Sequence, residues 1–148
     1  MKMYRFLLVV LVFVTLCSCA GGDIMSKAKV GDVQGIKQSL DKGVSIETKY
    51  DRSGQTVLIV AARNNRVGAV KYLCEQGANV DAQDIYGSTA LHQATFYNFE
   101  RVVKVLLKYN ADKDIMDGKG YTALNYAEQY YNPRIMKLLG YDVDLLED

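Results

Sequence analysis

One feature constrains this chain more than any other, a period of 33 residues. Asp84, Gly87, Thr89, Leu91 and Ala94 recur 33 positions earlier as Asp51, Gly54, Thr56, Leu58 and Ala61. They recur 33 positions later as Asp117, Gly120, Thr122, Leu124 and Ala127. A fixed period of this length means that each unit is one supersecondary element, able to bury its apolar face only against its neighbours. Within a unit the residue types follow a physical order. Asp and Gly open a turn in which glycine permits positive φ. The threonine hydroxyl can then cap a helix by accepting from its first free N–H groups. Leu and Ala form a narrow stripe that lets the next unit approach closely. A second apolar set follows at helical spacing: Val67, Val70, Leu73; then Val102, Val103, Leu106; then Ile135, Met136, Leu139. Asn65 and Asn98 stand in the tight link between the two helices, where asparagine tolerates the left-handed conformation.

The run Thr89-Ala90-Leu91-His92-Gln93-Ala94 resembles the ankyrin signature T-P-L-H-x-A. That resemblance implies an all-α solenoid of about four helix-turn-helix units joined by β-turn fingers. The units are residues 23–50, 51–83, 84–116 and 117–140, closed by a tail at 141–148. The first unit is degenerate. Ile24, Ala28, Gly31, Val33, Ile36, Leu40 and Gly43 lie 34 before Leu58, Ala62, Asn65, Val67, Val70, Cys74 and Gly77, with one extra residue near Lys49-Tyr50. Asp23 is expected to cap the first helix, and Lys27, in place of Ala61, to give the array a more polar end. Val57, Ala90 and Ala123 replace the signature proline and keep usable helix formers there. Pro133 instead starts the last outer helix behind Asn132. Leu145 and Leu146 are expected to fold back over the final unit while Asp142, Asp144, Glu147 and Asp148 stay in water.

Ahead of the repeats, Lys2 and Arg5 precede an apolar run from Phe6 to Leu16 broken only by Thr15. Eleven helical residues rise about 16 Å, too little for a hydrocarbon core of about 30 Å. The pattern reads as an export signal over residues 1–19. Leu16-Cys17-Ser18-Cys19 resembles a bacterial lipobox, which implies Cys19 as the lipidated first residue of the mature chain. Ala20 beside it is similar to lipoproteins sent to the outer membrane. Ser18-Cys19-Ala20 also fits ordinary cleavage after Ala20. Residues 20–22 would be a short tether, about 10 Å when extended.

Two of the 18 basic residues, Lys2 and Arg5, lie in that leader, and the remaining 16 face 17 acidic ones. A net charge of −1 gives no long-range attraction for nucleic acid or an anionic membrane surface. Cys74 is the lone thiol of the repeats and cannot form an internal disulfide, so stability must come from packing. His92, the single histidine, shows no nucleophile or carboxylate partner in sequence. In ankyrin repeats this histidine bonds the neighbouring threonine and loop backbone. Asp112, Asp114 and Asp117 do not have calcium-loop spacing, because Met116 stands where a ligand should. No catalytic motif, metal site or cofactor site is expected.

What remains is a surface. By resemblance, partners dock on the finger tips and on the concave face of the inner helices. Mapped onto this chain, the candidate partner-binding residues are Arg52, Arg63, Ile85, Tyr86, Phe96, Tyr97, Lys119, Tyr121 and Tyr130. Tyrosine and phenylalanine dominate the set, and large rigid rings concentrate at binding hot spots. Tyr126 and Phe99 are expected to pack inward instead. The expectation is a non-catalytic protein-binding module, monomeric, exported to the periplasm and held on the outer membrane by lipid. Its alternatives are a dedicated inhibitor or stabiliser of one enzyme, or a self-associating envelope protein.

Overall fold

The computed structural model describes residues 23–141. Eight short helices form four pairs among them: α1 (residues 23–30) with α2 (Val33–Asp41), α3 (Val57–Arg63) with α4 (Val67–Glu75), α5 (Ala90–Phe96) with α6 (Glu100–Lys108), and α7 (Ala123–Gln129) with α8 (Pro133–Leu138). The inner helices α3, α5 and α7 pack side by side in one layer. The outer helices α2, α4, α6 and α8 form the second. The fold is the expected all-α solenoid.

The repeated residues account for the repeated geometry. Thr56, Thr89 and Thr122 cap α3, α5 and α7, each accepting from the backbone N–H three residues on. A cap of this kind contributes about 1 kcal/mol. Asn65 and Asn98 take positive φ between the helices of their pairs, as Gly31 does in the first unit. In the fourth unit that position falls to Tyr131, at φ 46°. A bulky residue there is strained, and the sequence pattern did not foretell it.

Between the two layers run Ile24, Ile36, Leu58, Leu73, Leu91, Leu106 and Ile135, all essentially without solvent contact. Burial of each contributes about 2 kcal/mol. Ala61, Ala94 and Ala127 line the inner seam, where their small size lets neighbouring helices close up.

The structure differs from expectation at several points. Asp23 is itself helical and pairs with Lys27 one turn on, so it does not stand outside the helix as a cap. Lys27 turns partly inward and reaches Ser39 Oγ at 3.1 Å, which makes it a bridge between α1 and α2. Ala69 takes the buried place on α4, while Val67 is only partly covered. The extra residue near Lys49-Tyr50 is absorbed by a small hairpin, β1 (Lys49–Tyr50) against β2 (Gln55–Thr56), with Tyr50 opposite Gln55. The leader with Cys19, the tether and residues 142–148 of the tail lie outside the described residues.

The finger tips are tied to one another through backbone. Ile85 N–H donates to Ser53 O at 3.1 Å and Gly118 N–H to Tyr86 O at 2.8 Å. The second contact is close enough to require glycine, since a Cβ on Gly118 would sit 2.9 Å from Tyr86 O. Asn79 N–H to Glu47 Oε1, and Asp112 N–H to Asp81 Oδ1, repeat the same cross-unit link further along the fingers.

Candidate functional site

Each finger is shaped by its aspartate. Asp84 Oδ1 accepts from the backbone N–H groups of Tyr86 and Ser88, and Asp117 Oδ1 from those of Lys119 and Tyr121. Folding the tip around a carboxylate in this way throws the side chains at 85, 86 and 119 outward. Ile85 and Tyr86 are 63% and 67% exposed, a large apolar expense that packing does not explain.

The fingers and inner helices enclose a cleft of about 670 Å³. It is lined by Ile85 and Tyr86 of the third finger, by Gln93 and Phe96 of α5 with Tyr97 at its C-cap, and by Lys119 and Tyr126 of the fourth unit. Arg63 reaches it from α3. A volume of this size falls within the range of built binding sites. Of the nine residues expected to bind a partner, the cleft brings together Arg63, Ile85, Tyr86, Phe96, Tyr97 and Lys119. Arg52, Tyr121 and Tyr130 do not line it, although all three are exposed. Tyr121 and Tyr130 flank the cleft through ring contacts, Tyr121 with Tyr126 at 5.6 Å and Tyr130 with Phe96 at 5.3 Å.

Those contacts belong to one connected aromatic cluster. Phe96 meets Tyr97, Tyr126 and Tyr130 edge to face, with centroids 5.0, 5.7 and 5.3 Å apart. Tyr97 stacks on Phe99 at 5.8 Å. Edge-to-face pairs at these separations each add about 1 kcal/mol beyond area burial. These mutual contacts favour one arrangement of the rings, which lowers the ordering cost of binding.

Tyr126 packs inward as expected, at 8% exposure, yet its edge also forms part of the cleft wall. Its hydroxyl donates to Asp117 Oδ2 at 2.6 Å. Burial, and then the Asp117 carboxylate, push the Tyr126 phenol up to about 12. Burial works to raise the Asp117 carboxyl, but the hydrogen bonds from Tyr126 and the finger backbone outweigh it and hold it below its usual range.

His92 also touches the cleft, and both ring nitrogens are engaged. Nδ1 accepts from Thr89 N–H at 3.2 Å and Nε2 faces Tyr121 O at 3.0 Å. A backbone N–H can only donate and a carbonyl can only accept, which places the proton on Nε2. The imidazole thus completes a capping box on α5 and ties unit three to unit four. Asn125 makes the same box on α7 through Oδ1.

Cys74 is buried on α4, and burial pushes its thiol up to about 11, so it packs as a small apolar group. Among the described residues no three potential metal ligands come together, and no helix is long and apolar enough to cross a membrane.

A family model described as "Ankyrin repeats (3 copies)" matches residues 24–117 and again 87–146. The chain is an ankyrin-repeat protein. Neurogenic locus notch homolog protein 1 of Xenopus laevis is 32% identical to it over 83 residues, and its human counterpart 35% identical over 82. Each alignment covers 53% of this chain and 3% of the relative. The mouse B-cell lymphoma 3 protein homolog is 43% identical over 56 residues, 38% of this chain and 12% of that protein. The chain thus spans only a small fraction of these relatives. What the similarity carries is the ankyrin array itself, a protein–protein interaction module.

Asp84, Gln93, Asp117 and Tyr126 were absent from the sequence-derived site. A signal for them was present all the same. Asp84 and Asp117 are 33 apart, as are Gln93 and Tyr126, so one position keeps its residue type between units while the other changes it.

Proposed function

We propose that this ankyrin array is a non-catalytic binding module that takes a partner protein in the aromatic cleft of units three and four. The observation that carries the reading is the exposed finger pair Ile85 and Tyr86, which line one cleft together with Phe96 and Tyr97. The engaged ring nitrogens of His92 and the packed thiol of Cys74 support a non-catalytic role, because neither is free to act as base or nucleophile.

The same proposal places the protein outside the cytoplasm, anchored by lipid at Cys19, with a membrane or periplasmic protein as its partner. Lys2, Arg5, the apolar run to Leu16 and the sequence Leu16-Cys17-Ser18-Cys19 support this placement. The three residues 20–22 would keep the array close to the bilayer. The array would act as a monomer.

Cross-linked capture from envelope extract tests the binding role, with wild type beside a folded Phe96→Ala/Tyr97→Ala/Tyr121→Ala variant. A protein held by wild type and released by the variant supports the cleft as the site. Equal capture by both refutes it. For the anchor, mass spectrometry of wild type and Cys19→Ser should show a diacyl mass on the first alone.

A further inference from the structure

The third and fourth fingers are built alike except at one atom. In both, Oδ1 of the aspartate accepts the two backbone N–H groups that shape the tip. In the fourth, Asp117 Oδ2 accepts the Tyr126 hydroxyl. In the third, Asp84 Oδ2 has no hydrogen-bond partner among the described residues, although Asp84 is only 7% exposed. The residue that corresponds to Tyr126 is Gln93, and its amide is directed elsewhere, Nε2 donating to Ser88 Oγ at 3.0 Å. Asp84 and Gln93 both belong to the cleft wall. A buried carboxylate oxygen with no donor is costly and unusual, and a site of this kind accepts a donor readily.

We infer that Asp84 Oδ2 is the specificity-determining acceptor for a tyrosine side chain of the partner protein. Resting on the protein-binding reading above, this assigns the chemistry where Asp84 lines that cleft. Gln93 stands in unit three where Tyr126 stands in unit four and covers Asp84 Oδ2, so the partner's phenol reaches that oxygen as the Gln93 side chain swings aside, its hydroxyl on Asp84 Oδ2 and its ring among Tyr86, Phe96 and Tyr97. Two observations select a phenol over a cation. The internal precedent is a phenol, in the same register and on the same carboxylate atom. In addition, Asp84 and Asp117 share the cleft with Arg63 and Lys119, so the charges lining it cancel and give a cationic side chain no net attraction.

The test titrates ¹⁵N-labelled protein with p-cresol, the side chain of tyrosine, and in parallel with toluene and n-butylammonium. The expected result is saturable movement of the Tyr86 and Ser88 amide signals with p-cresol, and binding at least fivefold weaker for the other two. Asp84→Asn keeps an oxygen for the finger backbone and removes the second acceptor, so p-cresol should fall to the level of toluene at an unchanged melting temperature. Gln93→Tyr supplies the phenol from within. It should raise the melting temperature and abolish p-cresol binding, and it decides the matter if Asp84→Asn does not fold. Equal binding of toluene and p-cresol, preference for n-butylammonium, or p-cresol binding undiminished in Gln93→Tyr overturns the inference. Should Asp84→Asn capture the partner as wild type does while the triple aromatic variant does not, the cleft stands as the site and the tyrosine assignment falls.

Discussion

The Nε2 of His92 lies 3.0 Å from the carbonyl oxygen of Tyr121, joining the inner helix of the third unit to the finger of the fourth. With Nδ1 held at Thr89, one imidazole serves a helix cap and an inter-unit contact together. His92→Ala should therefore cost about 2–3 kcal/mol, a lost cap plus a carbonyl stripped of its partner. His92→Asn keeps the short reach to Thr89, as Asn125 does at Thr122, but not the reach to Tyr121. It should recover roughly half of that loss. Urea unfolding midpoints of the three proteins measure the difference.

The Tyr126–Asp117 bond predicts a dependence of stability on pH at both ends. Tyr126 has its folded-state pKa raised to about 12 from 10.0. Its contribution is fully present below the unfolded value and is lost as pH rises through the folded one, between about 10 and 12. Asp117 is shifted the other way, so its contribution is present above the usual carboxylate range and is lost as pH falls through the folded value. Tyr126→Phe should lower stability by about 1–2 kcal/mol at neutral pH and flatten the alkaline decline. Thermal melts from about pH 2 to 12 follow the acid and the alkaline limbs.

Two glycines in the fourth finger separate steric from conformational demand. A Cβ on Gly118 would meet Tyr86 O at 2.9 Å, whereas one on Gly120 would meet nothing, although Gly120 has φ 79°. Gly118→Ala should push the finger tips apart, break the bond from Gly118 N–H to Tyr86 O, and cost about 2 kcal/mol. Gly120→Ala should cost about 1 kcal/mol from backbone strain alone. Hydrogen exchange at the Gly118 amide should quicken only when the tips part, so Gly120→Ala leaves that amide protected.

Cys74 should be inert to thiol reagents in the folded state, because the thiolate is disfavoured and the sulfur is covered. Reaction with a disulfide reagent at pH 8 should proceed only at the rate of unfolding. Rapid labelling of the native protein would contradict the packing described for α4.

The 33-residue period made the units, the threonine caps and the asparagine links legible, because each depends on one residue at a fixed offset. Tyr131 escaped, since its positive φ is imposed by the helices on either side against its own preference. The hairpin at Lys49–Thr56 escaped too, because each of its strands is two residues long, too short to show an alternating pattern. In the cleft, exposure of Tyr86 and Phe96 could be read from their offsets within the motif. The orphaned Asp84 Oδ2 could not, because it arises from the direction in which Gln93 turns.

If the aromatic cleft holds the partner, changes on the outer helices should leave binding intact. The first measurement is the calorimetric Kd of the captured partner for wild type, for Phe96→Ala/Tyr97→Ala/Tyr121→Ala on the cleft side, and for Arg101→Ala/Lys108→Ala on outer helix α6. Binding should weaken at least 100-fold in the aromatic variant and change less than twofold in the α6 variant. Loss of affinity in the α6 variant, with the aromatic variant binding as wild type, would contradict it.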